Sequence, residues 1–184
     1  TTLPIETVLG HEMTGRIEKL GKGVKKDALN RPLAEGDRVV FMYYQYCGHC
    51  MSCLRGDQHQ CAVVTQSVVT PVAMKPHFTG GFADYYYLTP KQSIFKVPDA
   101  LSDEMVAGAN CALSQVIQGL MQAELRFGEN VVIQGMGGLG LYATAVAKEM
   151  GANAVIVIDG VDNRLELARQ MGADEVIDIR EHVD

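Results

Sequence analysis

The chain has 184 residues and a formal net charge of −6, and 47% of its residues are hydrophobic while 21% are charged. This composition is ordinary for a globular protein, and the negative charge argues against a nucleic-acid surface, which needs clustered basic residues. The sequence has no apolar run long enough to cross a bilayer and no signal peptide, so we expect no membrane partner. Five cysteines without a secretory signal are typical of reduced thiols, which indicates a cytoplasmic location and favours metal binding or catalysis over disulfides.

The N-terminal part of the sequence predicts β structure. Strands are predicted over 13–20 and 38–44, which are separated by a long polar turn, and again over 82–88 and 94–97. Three consecutive tyrosines in the third of these strands are expected to alternate across it. The short motif Gly10-His11-Glu12 directly precedes the first strand.

Four of the cysteines share one loop and the spacing C-x₂-C-x₂-C-x₇-C. They are Cys47, Cys50, Cys53 and Cys61. This spacing lets four thiolates converge on a single ion, so we predict a zinc site in the loop 47–61. Four thiolates leave no open position for a substrate, and the site would therefore be structural. Disulfides, free thiols and a redox C-x-x-C pair are the alternatives, and His49 or His59 could substitute as a ligand.

Two helices are predicted before the C-terminal part of the chain. The first begins at Ser102-Asp103-Glu104, and the second covers 113–125. Cys111 lies between them, outside the four-cysteine loop. Considered alone, this residue is best interpreted as a buried, inert thiol.

The segment 131–140 predicts a strand that leads directly into a glycine-rich turn. A β-branched run over 131–133 is typical of a buried parallel strand, and the sequence Gly-Met-Gly-Gly-Leu-Gly follows it at 135–140. In a G-x-G-x-x-G turn the first glycine allows a tight bend, the second admits a pyrophosphate and the third lets the next helix pack closely. The helix N-terminus would hold the phosphates, which favours dinucleotide binding over a purely structural turn.

The predicted helix after this turn places six residues on one apolar face and ends at Gly151. These residues are Leu139, Tyr142, Ala143, Val146, Ala147 and Met150. The next strand, over 154–158, ends at Asp159, nineteen residues after Gly140. A carboxylate there can accept hydrogen bonds from both ribose hydroxyls and would repel a 2′-phosphate, so NAD is favoured over NADP.

A second strand-helix-strand repeat is predicted after Asp159. Asp162 or Asn163 is expected to cap a helix that ends at Gly172, before a third strand around 176–177. The predicted cofactor-binding residues are Gly135, Gly137, Gly138, Leu139, Gly140, Asp159 and Arg164.

Taken together, the motifs resemble those of zinc-containing medium-chain alcohol dehydrogenases along the whole chain. Five motifs occur here that also occur in that family. They are Gly10-His11-Glu12, Gly36-Asp37-Arg38-Val39, the four-cysteine loop, Cys111, and the glycine turn with Asp159, and they follow one another in the family's order. The resemblance implies an α/β plus β fold. A GroES-like β-rich catalytic domain would cover 1–110, and the first half of a Rossmann doubly wound parallel sheet would cover 111–184.

The resemblance also implies a set of metal ligands. His11 and Cys111 would hold a second, catalytic zinc, with Glu12 as its neighbouring carboxylate, and the four-cysteine loop would hold the structural zinc. A complete chain would then bind two zinc ions and NAD. The implied reaction is hydride transfer between an alcohol, or the matching aldehyde or ketone, and NAD in a dimer or tetramer.

The family pattern extends beyond both ends of this sequence. A first catalytic-zinc ligand would precede Thr1, and the nicotinamide half of the Rossmann domain would follow Asp184, so we expect a fragment of a protein about twice as long. Two alternatives stay open: a non-catalytic, zinc-stabilised nucleotide-binding fragment, and a zinc-free reductase of the same superfamily.

Overall fold

The computed structural model describes residues 6–64, 70–90 and 92–181. The chain forms two compact units, which divide between Asn110 and Cys111. Each unit contains a hydrophobic core of its own. Within the described ranges, no helix combines the length and the apolar character needed to cross a bilayer.

The first unit contains a three-stranded antiparallel sheet. Its strands, in spatial order, are β1 (Gly15–Arg16), β2 (Arg38–Phe41) and β3 (Ile94–Lys96). Val39 and Phe41 alternate with less buried neighbours along β2, and together with Leu33 they form the buried core of this unit. The hydrophobic alternation that predicts these strands therefore also identifies their buried face.

The predicted strand over 82–88 is wrong, and the other strands of this unit are shorter than predicted. Residues 82–84 form a bend and residues 85–88 belong to no regular element, and the segment makes isolated backbone hydrogen bonds, such as those from Phe82 N to Leu9 O and from Tyr87 N to Phe78 O. The expected alternation is still present, because Tyr86 packs against Phe41 while Tyr87 is exposed. Alternation of apolar and polar residues predicts which side chains are buried. A β-strand also requires a continuous row of backbone hydrogen bonds to a neighbouring strand.

Short helices complete the first unit. They are α1 (Met51–Leu54), a 3₁₀-helix (Gln58–Gln60) and α2 (Asp103–Ala107). The predicted start of α2 is confirmed, because the Ser102 hydroxyl accepts a hydrogen bond from Met105 N at 3.4 Å. Asp103 and Glu104 place negative charge in the first turn, where it is favourable.

A buried carboxylate connects the long polar turn of this unit to β3. Asp27 accepts hydrogen bonds from the backbone N–H groups of Leu29, Arg31 and Lys96, at 2.9, 2.8 and 3.1 Å, and from the Arg31 guanidinium. Burial opposes ionisation of Asp27, but these donors outweigh it and lower its pKa to about 2. The carboxylate therefore stays charged inside the unit.

The second unit is a parallel sheet with helical connections. Its strands are β4 (Asn130–Gln134), β5 (Ala154–Asp159) and β6 (Glu175–Asp178), in the order β4-β5-β6. Its helices are α3 (Ser114–Gln122), α4 (Gly138–Glu149), α5 (Asp162–Gln170) and a 3₁₀-helix (Ile179–Glu181), and a π-helix (Ala109–Leu113) contains the boundary between the units. The predicted β plus α/β fold class is confirmed.

Small side chains hold α4 against the sheet. Val155 and Val157 of β5 are fully buried, as is Ala147 of α4. The predicted apolar face of α4 is partly wrong, because Leu139 is 52% exposed and the buried positions include Gly140 and Thr144. Close packing on the preceding turn selects small residues there in place of large apolar ones.

The predicted N-cap of α5 is also wrong. The N-cap is Val161, which makes no side-chain cap, and Asp162 is the first helical residue. The carboxylate of Asp162 pairs instead with Arg180. Gly151 and Gly172 follow the helices as predicted, each with the positive φ typical of a helix end.

Candidate metal centres and cofactor site

The structure brings the four loop cysteines together. Their Sγ atoms all lie within 4.8 Å of one another, with 3.5 Å between Cys50 and Cys53 and 3.9 Å between Cys47 and Cys53. A tetrahedral site with Zn–S bonds of about 2.3 Å has S···S edges of about 3.8 Å. The sulfur separations therefore fit zinc. Within the described ranges this metal-binding group contains neither His49 nor His59.

The electrostatics of the cluster also fit a cation. Backbone N–H groups of His49 and Cys50 lower the pKa of Cys47 to about 6, and the N–H of Cys47 lowers the pKa of Cys61. Burial raises the pKa of Cys53 to about 12, with a further contribution from the neighbouring sulfurs. Four crowded thiols cannot all ionise unaided, and a divalent ion would stabilise the remaining thiolates. All these cysteines are free thiols in the structure, not disulfides. Their assignment to zinc stays a prediction.

His11 and Glu12 lie on the exposed side of the first unit. The His11 ring contacts the Tyr43 ring in a tilted arrangement, with ring centroids 4.8 Å apart and 44° between the ring planes. The His11 carbonyl accepts a hydrogen bond from Asn110 Nδ2 at 2.9 Å, and the Gly10 carbonyl accepts one from a backbone N–H across the loop. An imidazole and a carboxylate are donor types that zinc accepts. Within the described ranges, however, the side chains brought together as a possible metal site are the four loop cysteines, and His11, Glu12 and Cys111 are not among them.

Cys111 lies at the start of the second unit, whereas His11 belongs to the first. The Cys111 side chain is buried, and Gln115 Nε2 lies 3.6 Å from the Cys111 Sγ. Its carbonyl accepts a hydrogen bond from Ser114 Oγ at 2.9 Å. Cys111 is the central residue of the π-helix, a feature that occurs frequently at functional sites. Its role as a catalytic-zinc ligand stays a prediction.

The glycine turn between β4 and α4 has the geometry expected for a phosphate-binding turn. Gly135 has a φ of +90°, which other residues rarely adopt. A Cβ atom at Gly140 would lie 1.9 Å from the Gly135 carbonyl oxygen, so only glycine allows this approach of helix to turn. The N-cap Gly137 provides no side-chain cap, which leaves the first N–H groups of α4 available to an anion.

The Asp159 carboxylate connects the glycine turn after β4 with the turn after β5, at the C-terminal edge of this sheet. Its Oδ2 accepts a hydrogen bond from Met136 N at 2.6 Å, and its Oδ1 accepts from Gly160 N and Val161 N at 2.8 and 2.9 Å. The Met136 amide is the main cause of its lowered pKa; burial acts in the opposite direction, and the other two amides and Arg164 lower it further. Arg164 Nη1 lies 3.9 Å from Oδ2, with its side chain half exposed. The structure thus places Asp159 and Arg164 together beside the glycine turn.

Family models match both parts of the chain. The model described as alcohol dehydrogenase GroES-like domain covers residues 1–99, and the model described as zinc-binding dehydrogenase covers residues 138–184. The chain belongs to the zinc-type medium-chain alcohol dehydrogenase family. This confirms the family resemblance and the predicted GroES-like domain followed by half of a Rossmann sheet.

Individual relatives agree with this family. The chain is similar to 5-exo-hydroxycamphor dehydrogenase of Pseudomonas putida, with 36% identity over 96% of this chain and 48% of the relative. It is also similar to L-threonine 3-dehydrogenase of Idiomarina loihiensis, with 34% identity over 97% of this chain and 48% of the relative. The crystal structure of an alcohol dehydrogenase from Thermotoga maritima has a TM-score of 0.89 and 32% identity, over 97% of this chain and 50% of that one. The chain thus spans about half the length of the curated relatives it matches.

Two residues at this site were not predicted from the sequence. Tyr43 contacts the His11 ring, and Asn110 donates a hydrogen bond to the His11 carbonyl although 99 positions separate the two residues. The tyrosines that follow β2 and the asparagine directly before Cys111 were visible in the sequence. No local pattern connects either of them with His11, because their contacts depend on tertiary structure.

Proposed function

We propose that this protein is a zinc-dependent oxidoreductase that transfers a hydride between an alcohol and a nicotinamide cofactor. The observation that carries the proposal is the match of two dehydrogenase family models, in order, on one chain. The preorganised glycine turn beside Asp159 supports nicotinamide-dinucleotide binding, and the four-cysteine cluster supports zinc.

The proposed metal ligands fall into two groups. Cys47, Cys50, Cys53 and Cys61 would hold a structural zinc that braces their loop. His11, Glu12 and Cys111 would contribute ligands to a catalytic zinc, and that site would supply Lewis-acid chemistry for the substrate oxygen. The protein's own part is to orient these donors, and Tyr43 contributes by limiting rotation of the His11 ring.

The proposed cofactor is NAD. The N–H groups at the start of α4 would bind its pyrophosphate, and the open space beside Gly137 and Gly138 would admit it. Oδ1 of Asp159 already accepts two backbone hydrogen bonds, so Oδ2 is the oxygen with capacity for a ribose hydroxyl. The negative charge of Asp159 disfavours a 2′-phosphate and therefore NADP.

The substrate proposal is a small alcohol or the corresponding carbonyl compound. The names of the two relatives refer to 5-exo-hydroxycamphor and to L-threonine. Each compound carries a hydroxyl group on a secondary carbon. We therefore propose a secondary alcohol as the first substrate class to test. A dimeric or tetrameric state and a cytoplasmic location complete the proposal and rest on the family resemblance and the free cysteines.

The first experiment is zinc determination on the purified protein and on two serine variants. We expect two zinc ions per chain, with one lost in Cys61→Ser and a different one lost in Cys111→Ser, because the two cysteines serve separate sites. NAD reduction should then be followed spectroscopically with a panel of secondary alcohols, including L-threonine. Equal zinc content in the wild type and in Cys111→Ser would contradict the catalytic assignment.

The rival function is a non-catalytic, zinc-stabilised nucleotide-binding protein. It predicts one zinc per chain and NAD binding without turnover of any alcohol. A zinc-free reductase predicts turnover with no dependence on Cys61 or Cys111. The same zinc and activity measurements therefore separate all three functions.

A further inference from the structure

We propose that Asn110 is a positioning residue that holds His11 in place as a ligand of the catalytic zinc. This inference rests on the proposed function, since it requires a metal at His11. Asn110 belongs to the first unit, as His11 does, and it directly precedes Cys111 in the chain. Its side chain therefore holds the His11 backbone, and its main chain is bonded to Cys111, the other proposed ligand.

The Asn110 amide uses both of its donors on backbone carbonyls. Nδ2 lies 2.9 Å from the His11 carbonyl oxygen and 3.1 Å from the Phe41 carbonyl oxygen. An NH₂ group has two protons, one for each acceptor. The reversed amide would place Oδ1 against two carbonyl oxygens, so the orientation is determined by the two acceptors. The contact thus fixes the His11 backbone to the end of β2.

The other end of the same amide has no compensating contact. Oδ1 of Asn110 is buried and has no hydrogen-bond partner among the residues that the structure describes. A buried, unpaired acceptor costs free energy, and an apolar side chain of similar shape would avoid that cost. Such a side chain would, however, leave the His11 and Phe41 carbonyls without their Asn110 donors. The two donated hydrogen bonds therefore account for an asparagine at this position.

His11 has few other restraints. The residue is exposed, and its ring contacts only one aromatic ring, that of Tyr43, among the described aromatic pairs. A metal ligand must be held within a fraction of an ångström, and loss of an outer contact that orients a ligand lowers metal affinity about 10- to 100-fold. Loss of the Asn110 donors should therefore weaken the His11-dependent zinc site specifically.

The test is the rate of zinc transfer from the purified protein to a coloured chelator, with the wild type compared with Asn110→Leu. Leucine keeps the approximate volume but removes both donors. We expect the His11-dependent ion, identified by its absence from His11→Ala, to leave about 10- to 100-fold faster in Asn110→Leu. The ion held by the four-cysteine loop should leave at the wild-type rate. Cobalt substitution adds a second readout, since the visible spectrum of the His11 site should change.

Gln92→Leu is the matched control. Gln92 is a buried amide of the same unit whose Nε2 donates to the Met42 carbonyl at 2.9 Å. It should lower stability without accelerating release of the His11-dependent ion. If Asn110→Leu does not fold, as judged by circular dichroism, Asn110→Ala provides the same measurement, because alanine also removes both donors and adds no charge.

The outcomes separate this inference from the proposed function. Release of the His11-dependent ion at the same rate in the Asn110 variant, the Gln92 control and the wild type would overturn the positioning role and leave the proposed function intact. A wild-type protein that holds no His11-dependent ion would overturn both.

Discussion

At the scale of single residues, Asp159 has a structural role that the sequence motif does not predict, beside its proposed contact with a ribose. Its position at the end of β5 predicts a ribose contact, whereas the structure shows three backbone N–H groups on its carboxylate. Those contacts tie the glycine turn to the turn after β5. Asp159 therefore shapes the proposed cofactor site before any cofactor binds.

Asp159→Asn should weaken NAD binding roughly 10-fold or more, because the amide loses the charge and one of the acceptors. Isothermal titration with NAD measures the change, and titration with NADP should show a smaller loss. Asp162→Asn is the control, since Asp162 is an exposed carboxylate in the adjacent helix that pairs with Arg180. Equal NAD affinity in the wild type and Asp159→Asn would contradict the assignment.

Asp27 gives the first unit a predictable dependence on acid. Its pKa is about 2 in the folded protein, below the ordinary value of 3.8. The stabilisation that the ionised Asp27 contributes is therefore fully present above pH 3.8, and it is lost as the pH falls toward about 2. Urea unfolding at several pH values should show a steep loss over this window in the wild type and a shallower one in Asp27→Asn. Parallel pH profiles would show that the carboxylate is not ionised in this way.

At the scale of elements, the strand-helix-strand pattern of the second unit could be predicted because its determinants are local. Apolar runs mark β4 and β5, and glycines mark the turn and both helix ends. The predicted strand over 82–88 failed for the opposite reason. Its residues have the right alternation, but a strand depends on a partner that the local sequence does not specify.

The contact between α4 and the glycine turn can be tested with two alanine substitutions. Gly140→Ala would place a Cβ 1.9 Å from the Gly135 carbonyl oxygen and should destabilise the protein by about 1–3 kcal/mol. At Gly138 a Cβ has no atom within 4 Å, so Gly138→Ala should be neutral or stabilising by about 0.4–1 kcal/mol. Urea unfolding of both variants measures the difference, and equal stabilities would refute the close packing.

At the scale of the whole molecule, the two units differ in what stabilises them. The first buries a small core of Leu33, Val39 and Phe41 and also contains the polar contacts of Asp27 and the four-cysteine cluster. The second buries a larger core around Val155 and Val157. We therefore expect metal removal to act mainly on the first unit.

A strong chelator should lower the amide protection of residues in the first unit and leave the second unchanged. Hydrogen exchange followed by mass spectrometry should show faster exchange over 47–61 and 38–41, while β4 and β5 keep their protection. Restoring zinc should restore the original exchange, and magnesium should not, because thiolates prefer zinc. An equal loss of protection in both units would contradict a local structural role for the metal.

The sequence by itself determined the features that depend on spacing: the four-cysteine loop, the glycine turn with Asp159 and the alternation of strands and helices in the second unit. Such features are encoded by residues close together in the chain, whose geometry follows from periodicity and turn chemistry. Only the tertiary structure decided that Asn110 holds His11 and that Asp27 supports β3, across 99 and 69 positions. Those contacts form when distant segments pack, and no local pattern specifies which segments will meet.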